Sequence, residues 1–424
     1  MKKFFYYPCK KAVLTLCCAF LYFDISFAVW VILGAIGTFI AGELKLTPVQ
    51  KGIMVALPIL SGSLLRILFG LAESVFGGKK TALIGMGITA ACLLWGGLSA
   101  HSLKEIYGIG LLLGISGASF AVALPMASRW FSSQNQGLVL GLTGSGNSGT
   151  LLCTLFGPMI AHAYGWHSVF IFFLLLLGIV FLVFLLLAED APQTQREKLD
   201  LYALSLNLRQ LLPWLLAFLY SLSFGGFVGL ASYLGFFLVD DYRIDKVEAG
   251  KTQTLIIAAG SLLRPLGGAL ADKVGGAKLL LALLATSSLL AFLPSFYFPF
   301  LAEIILLFCL MGCLGLANGA VFQLVGSSMS SCVGIITGVV GAAGGIGGFF
   351  LPILLGKVKE HFGSCALGFL FFSFFLFVGS CLAFALVFSE RLNKSLRVEN
   401  PTRATASASL IPFSPLARKE GSEK

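Results

Sequence analysis

Long apolar segments, separated by short polar or glycine-containing turns, repeat along almost the whole chain of 424 residues. An apolar run of roughly 20 residues can cross a bilayer only as a helix, because the lipid interior offers no hydrogen-bond partners to an open backbone. The pattern therefore predicts an all-α integral membrane protein with twelve transmembrane helices. The predicted spans, numbered 1 to 12, are 12–41, 49–73, 81–100, 105–129, 136–160, 168–188, 213–239, 250–271, 278–296, 299–327, 333–356 and 364–388.

Composition strengthens this prediction and excludes an ordinary soluble domain. Hydrophobic residues make up 58% of the chain and charged residues 11%, and the mean hydropathy is +0.94. These values lie far outside the usual range for a soluble domain of this length. We therefore expect a lipid bilayer to surround most of the chain.

The lysines and arginines between the predicted spans indicate how the chain is oriented. With the N-terminus inside, the predicted cytoplasmic segments hold 19 of the 29 basic residues, and the external segments hold 8. The positive-inside rule then places both termini in the cytoplasm, with the chain in the inner (cytoplasmic) membrane. The net charge of +10 is thus a topology signal that requires no nucleic-acid partner.

The ten cysteines and four histidines indicate neither a disulfide framework nor a metal site. The cysteines are scattered, mostly within predicted spans, which is typical of small buried residues. The histidines all fall in predicted external loops, and they form no cluster with metal-ligand spacing. We therefore expect no metal and no cofactor.

The chain is predicted to contain two related halves of six spans each. The string Gly-Ser-Leu-Leu-Arg occurs at 62–66 and again at 260–264. Such a repeat indicates pseudo-symmetric half-domains that face each other around a central substrate cavity. The predicted boundaries are 1–188 for the first half, 189–212 for a cytoplasmic linker, 213–388 for the second half and 389–424 for a disordered cytoplasmic tail.

The arginines of this string, Arg66 and Arg264, are the only basic residues that the topology leaves inside the membrane. An arginine there costs about 2.5–3.5 kcal/mol on insertion scales, so its presence indicates a function. A guanidinium is planar and donates forked N–H groups that match the in-plane oxygens of a flat anion. Ion pairs with carboxylates are the alternative. However, Asp24 is the only acid predicted well inside the membrane, and one acid cannot neutralise two arginines.

Spans 5 and 11 contain glycines at spacings of three and four, which let helices approach closely. We expect these spans to slide as the halves rock around the arginines in an alternating-access mechanism; tight packing alone is the alternative. Asn147 fits the packing alternative less well, because a buried amide needs partners. The glycines concerned are Gly141, Gly144 and Gly146 in span 5 and Gly341, Gly344 and Gly345 in span 11.

Several motifs together resemble the major facilitator superfamily and, within it, the nitrate/nitrite porter family. The turn after span 8, Gly268-Ala-Leu-Ala-Asp272-Lys-Val-Gly275-Gly, resembles the superfamily's cytoplasmic loop motif. In the first half Ser74 stands in place of Asp272, with Glu73 one position earlier. The likeness to the porters also includes both arginine segments, both glycine-rich spans, and motifs at 23–30, 119–130, 224–229 and 318–322.

This resemblance implies a major facilitator fold in which one nitrate or nitrite anion binds between Arg66 and Arg264 near the bilayer centre. It also implies that Asn147 and several aromatic rings surround the anion, although packing in the core is the alternative for each phenylalanine. These aromatic residues are Phe27, Phe120, Tyr220 and Phe224. We expect the protein to act as a monomer.

The sequence leaves the mode of transport open. Asp24, a carboxylate in the membrane, could carry a proton, which favours proton-coupled nitrate uptake; helix packing or arginine pairing is the alternative role for this residue. Two uncompensated arginines would resist reorientation of an empty site, which favours exchange of nitrate for nitrite. A general organic-solute or drug carrier of the same fold is a further alternative. No nucleophile, metal or phosphate-binding pattern indicates an enzyme.

Overall fold

The computed structural model describes residues 9–131, 136–191, 209–328 and 333–399, and these residues form fifteen α-helices. Eleven helical segments of the described chain are long and apolar enough to cross a membrane, which confirms a multi-pass, all-helical membrane protein. The helices are α1 (Cys9–Trp30), α2 (Ile32–Glu43), α3 (Pro48–Phe76), α4 (Gly78–Leu98), α5 (Leu103–Gly117), α6 (Phe120–Ser128), α7 (Gln136–Gly144), α8 (Gly149–Tyr164), α9 (His167–Leu187), α10 (Leu211–Tyr242), α11 (Lys246–Val274), α12 (Gly276–Phe292), α13 (Phe300–Ser328), α14 (Val333–Phe362) and α15 (Ala366–Glu399).

Span 5 is the predicted span that is absent from these eleven segments, and its break is longer than those at Val31 in span 1 and at Ala118–Ser119 in span 4. It consists of α7, a 3₁₀ turn at Ser145–Ser148 and α8, and each piece alone is too short to cross a bilayer. The break lies where the chain passes α1. A Cβ atom on Gly149 would collide with the Asp24 carbonyl oxygen, and one on Gly146 would collide with the Phe23 ring. Glycine permits this approach and also weakens a regular helix.

The last helix is longer than the sequence predicted. Helix α15 ends at Glu399, so residues 389–399, which were expected to be part of a disordered tail, continue the helix. These residues include good helix formers and no glycine or proline, and the first proline that follows is Pro401. The rest of the predicted tail, and residues 192–208 of the predicted linker, lie outside the described residues.

Backbone conformations that are rare for most residues recur at matching places in the two halves. Positive φ angles occur at Lys45 and Arg243, at Gly77 and Gly275, and at Gly165 and Gly363. The interval within each pair is 198 residues, which is also the interval from Arg66 to Arg264. The internal repeat therefore extends from the sequence to the turns that connect the helices.

The two halves meet mainly along three pairs of helices, α3 with α14, α8 with α11, and α2 with α10. Glycines lie at the closest points. A Cβ atom on Gly345 would collide with the Ser63 side chain, and one on Gly34 would lie 2.9 Å from the Cα atom of Ser232. These contacts hold α3 and α14 at the distance that brings Arg66 to the interface.

We call the end of the bundle that holds the start of α1 and the end of α15 the terminal end, and the opposite end the distal end. Contacts between the halves close the distal end. Lys51 of α3 forms an ion pair with Asp240 of α10 at 2.7 Å, and the Val49 amide donates to the Glu360 carboxylate at 3.0 Å. The Lys246 ammonium lies 4.9 Å from the centre of the Phe39 ring.

At the terminal end, the described ion pairs join residues of the first half to each other. Arg129 forms a two-point pair with the buried carboxylate of Glu73, and Lys11 pairs with Glu189 at 2.7 Å. In the first half Ser74 stands where the loop motif of the second half has Asp272. Glu73, one position earlier, supplies the acid there. The cross-half ion pairs among the described residues lie at the distal end.

The first prediction concerns the Lys51–Asp240 ion pair. Lys51→Gln should increase the population with an open distal end, because the neutral amide leaves Asp240 with only the more distant Lys359 ammonium, at 3.9 Å. A partly buried pair contributes about 1 kcal/mol, or roughly a fivefold change in the open-to-closed ratio. Electron-spin distances between labels at positions 104 and 357, with the native cysteines replaced, would measure this ratio.

Lys251→Gln provides the matched control, because Lys251 forms an exposed ion pair with Glu248 within α11. Its distance distribution should equal that of the parent. An unchanged distribution in Lys51→Gln would show that the cross-half pair does not hold the distal end closed.

Candidate functional site

Arg66 projects from the middle of α3 into the interface between the halves and is almost fully buried. Its Nε–H donates to the Gly117 carbonyl at 3.1 Å, and its Nη1 donates across the interface to the Gly341 carbonyl at 3.0 Å. Carbonyl oxygens orient a guanidinium without neutralising it. The positive charge of Arg66 therefore remains available at the boundary of the two halves.

Arg264 occupies the equivalent place on α11 but is only half-buried. Its Nη2 donates to the Tyr220 hydroxyl at 3.0 Å. The difference in burial and in bonding makes the two arginines inequivalent in this conformation. Arg66 is held by two backbone carbonyls, whereas the described bonds of Arg264 hold it by one hydroxyl.

Two phenylalanine rings lie against both arginines. The Phe224 ring centre is 5.5 Å from the Cζ atom of Arg66 and 5.5 Å from that of Arg264, so the two guanidinium carbons are no more than twice that distance apart. The Phe120 ring centre is 5.5 Å from Arg66 and 6.0 Å from Arg264. Aromatic faces attract cations and displace water, which strengthens the field of the paired charges.

The Tyr220 and Phe224 rings form a flat wall of the site. They lie four residues apart on α10, their planes differ by 3°, and their centres are 5.1 Å apart. A planar ligand can lie against such a wall while the arginines bind its edge. The structure therefore brings together five of the residues that the resemblance assigned to an anion site: Arg66, Arg264, Phe120, Tyr220 and Phe224.

Neither arginine has a carboxylate within 4.0 Å among the described residues. Asp24 accepts a hydrogen bond from the Ser148 hydroxyl at 2.7 Å, and Glu73 pairs with Arg129. The alternative in which acids neutralise the arginines is thus not observed in the described part of the chain. The site carries net positive charge, as an anion-binding site requires.

Asn147 lies in the 3₁₀ turn of span 5, is buried, and has a side-chain oxygen without a hydrogen-bond partner. The contacts between α8 and α11 indicate its level in the bundle. Thr154 bonds Thr254 at 2.8 Å, and Thr150 lies 3.5 Å from Ser261, so the helices run antiparallel. Asn147 comes three residues before Thr150 and Arg264 three residues after Ser261, which places the amide level with Arg264.

The glycines of spans 5 and 11 have different surroundings. A Cβ atom on Gly344 would collide with the Tyr220 ring, and Gly341 borders the Arg66 Nη1 atom at 4.0 Å from its ideal Cβ position. Gly345 packs on Ser63. Gly144, in contrast, has open space around it, which differs from the sliding surface expected from the sequence. Gly141 lies in α7, where its surroundings are outside the described contacts.

Phe27 lies one ring farther from the arginines than the resemblance implied. It packs on α1 neighbours, with ring centres 5.2 Å from Phe23 and 4.9 Å from Trp30. Trp30 is the ring that lies against Arg66, at 5.2 Å from its Cζ atom. Phe27 therefore supports Trp30, and we found no ring contact from it to either arginine among the described residues.

Two aromatic residues of the site were part of the motifs noted in the sequence but were not assigned to it. Trp30 donates its indole N–H to the Pro58 carbonyl at 2.6 Å, and this bond fixes the ring over Arg66. Phe322 of α13 lies 5.5 Å from the Arg264 Cζ atom and 4.8 Å from the Tyr220 ring centre. Their place in the motifs was visible in the sequence, but the direction of each ring was not.

A sequence profile described as Major Facilitator Superfamily matches residues 18–352. The "Nitrite extrusion protein" of Bacillus subtilis is 31% identical over 367 residues, which cover 87% of this chain and 92% of that protein. The "Probable nitrate transporter NarT" of Staphylococcus epidermidis is 31% identical over 400 residues, which cover 92% of this chain and 99% of that protein.

A solved structure supports the fold alone. It is a crystal structure of a bacterial homologue of the human lysosomal transporter Spinster, and it aligns with a TM-score of 0.68 at 16% identity. The alignment covers 89% of this chain and 97% of that one.

The second prediction compares Gly344 of span 11, which is a continuous helix, with Gly144 of span 5, which is broken. Gly344→Ala should weaken anion binding, because its Cβ atom meets the Tyr220 ring that bonds Arg264, whereas Gly144→Ala should have little effect because its Cβ atom enters open space. Displacing a packed ring costs about 1–3 kcal/mol, or about 5- to 150-fold in Kd. Calorimetric titration of the purified variants with nitrate would measure this. Equal Kd values for both variants would contradict the assigned packing.

Proposed function

We propose that this chain, which belongs to the major facilitator superfamily and within it to the nitrate/nitrite porters, carries nitrate into the cell. In this proposal the anion binds between Arg66 and Arg264. Membership of a transporter superfamily indicates a transporter rather than an enzyme. The observation that carries the proposal is the pair of uncompensated guanidinium groups that share the Phe120 and Phe224 rings.

The hydrogen-bond donors that remain on the arginines suit a small planar anion. The described bonds of Arg66 use its Nε–H and one Nη1 hydrogen, and that of Arg264 uses one Nη2 hydrogen. The other N–H groups of each fork can donate in plane to two oxygens of nitrate or nitrite. The Tyr220–Phe224 wall and the Asn147 amide complete a site that favours a flat anion over a tetrahedral one.

The direction of access follows from topology and the distal contacts. The excess of lysine and arginine assigns the terminal end to the cytoplasm, and the closed distal end then faces outward. Access to the site in this conformation would then be from the cytoplasmic side. Rocking of the halves would break the distal ion pair and the Arg66–Gly341 bond, which both cross the interface.

Asp24 supports proton coupling through its position beside the broken helix. Its carboxylate accepts from Ser148, which directly follows Asn147 in the 3₁₀ turn. A proton on Asp24 would weaken this charge-assisted bond and free the turn that carries the amide of the site. Proton binding to Asp24 and anion binding at Asn147 would then be linked through the 3₁₀ turn Ser145–Ser148.

Exchange of nitrate for nitrite is the second candidate, and the lack of acids near the arginines favours it. When an empty carrier reorients, it passes through a state that is closed at both ends, and two unneutralised guanidinium charges are then enclosed in the membrane. A bound anion lowers that charge. Exchange and proton coupling differ in whether an empty carrier can return. The experiments below distinguish them.

The third prediction tests the bidentate site. Arg66→Lys and Arg264→Lys should each raise the nitrate Kd by about 10- to 150-fold, because lysine keeps the charge but loses charge-assisted bonds of about 1.5–3 kcal/mol. Arg243→Lys is the matched control, since Arg243 is exposed in a distal turn. Retained affinity in both site variants would refute binding between the arginines.

The fourth prediction separates the two modes of transport. Proteoliposomes that contain buffer alone should accumulate labelled nitrate under an imposed pH gradient, and Asp24→Asn should abolish this uptake while leaving exchange into nitrite-loaded vesicles intact. The amide has the size of the carboxylate, and its oxygen can still accept a hydrogen bond from Ser148, but it cannot bind a proton. Uptake only into nitrite-loaded vesicles by the parent protein would replace symport with exchange.

A further inference from the structure

Glu303 is a buried carboxylate that the anion site does not use. It lies in the first turn of α13 at the distal end and has no solvent exposure. Among the described residues, neither of its carboxylate oxygens has a hydrogen bond of good geometry, although the Tyr242 hydroxyl and the Phe298 amide face it. A buried carboxylate that is ionised, unpaired and without hydrogen bonds is strongly unfavourable.

In this arrangement the hydroxyl beside Glu303 donates to another group. Tyr242 donates its single proton to the Phe298 carbonyl at 3.0 Å, so its oxygen is available only as an acceptor. An ionised carboxylate has no proton to give to that oxygen. A protonated Glu303 does, and one proton would therefore give partners to both groups.

The charges around Glu303 also leave one acid in excess. Asp240 and Asp241 at the end of α10 pair with Lys51 and Lys359, with Lys359 at 2.5 Å from Asp241. The cluster of Asp240, Asp241 and Glu303 thus has three carboxylates, and two ammonium groups pair with them. The helix N-terminus at Glu303 favours a negative charge, but it is a weaker partner than a cation.

The other titratable groups that face this cluster are neutral. Tyr297 donates to Asp241 at 3.0 Å and accepts from the Cys365 amide, and the Cys365 thiol lies 3.7 Å from Asp241. Burial, and after it the negative charge of Asp241, raises the pKa of Tyr297 and the pKa of Cys365. Tyr233 also faces Asp241 from α10. Glu360 and His361 next to Lys359 are exposed to solvent.

We propose that Glu303 is a proton-binding site, and that it holds a proton while the distal end is closed. The proton forms a hydrogen bond from the Glu303 carboxyl to the Tyr242 hydroxyl oxygen. Asp240 and Asp241 keep their negative charges and their lysine partners. The site is separate from Asp24, which lies on α1 in the other half of the molecule.

Infrared spectroscopy of the purified full-length protein tests the proton directly. At neutral pH the parent should show the carbonyl stretch of a protonated carboxylic acid, and Glu303→Gln should remove one carboxyl group's share of that signal. Tyr242→Phe should shift the same component, because the acceptor of the carboxyl proton is lost. This second variant leaves the carboxyl in place and so tests the proposal even if Glu303→Gln folds poorly.

Glu248→Gln is the matched control, because Glu248 is an exposed carboxylate at the same end. It should leave the protonated-acid signal unchanged. A signal that is the same in the parent, Glu303→Gln and Tyr242→Phe would show that Glu303 is ionised, and the proposal would be overturned. This measurement needs no nitrate, so its failure is distinct from failure of the proposed transport function.

Discussion

The rest of the structure depends on one constraint: two guanidinium charges lie in the apolar interior, and no acid among the described residues neutralises them. Arg66 and Arg264 must be oriented by groups that leave their charge intact. The structure uses backbone carbonyls, a hydroxyl and aromatic faces for this purpose. Each of these partners orients a guanidinium group and leaves its positive charge for an anion, whereas a carboxylate would cancel that charge.

Neutral partners of this kind impose demands on the backbone. A carbonyl can reach Arg66 from the opposite half only if α14 comes close, and Gly341 and Gly345 permit that approach. The Tyr220 and Phe224 rings can lie beside the arginines only if the facing helix α14 carries glycine, as it does at Gly344. The glycine-rich spans are thus explained by access to the charges, and the break in span 5 by contact with α1.

Acids are placed where the arginines are not. In the described residues the ion pairs lie toward the two ends of the bundle, with Glu73 and Arg129 at one end and Asp240 and Lys51 at the other. An electrostatic contact between halves is therefore possible at the distal end without reducing the charge at the centre. Anion binding thus depends on the arginines, and closure of the distal end depends on other charged groups such as Lys51 and Asp240. A carrier that alternates between two states requires this separation.

The sequence by itself determined the membrane spans, the internal repeat and the two central arginines, because hydropathy, repetition and charge in an apolar run are local properties of the chain. It also indicated most of the aromatic site through family motifs. Only the tertiary structure decided that Trp30 rather than Phe27 covers Arg66, that Gly144 faces open space, and that span 5 breaks at its 3₁₀ turn. It likewise decided that α15 continues to Glu399 and that Glu303 is buried without a partner. Except for the length of α15, these features depend on the register between helices that are distant in sequence, and no local pattern encodes that register.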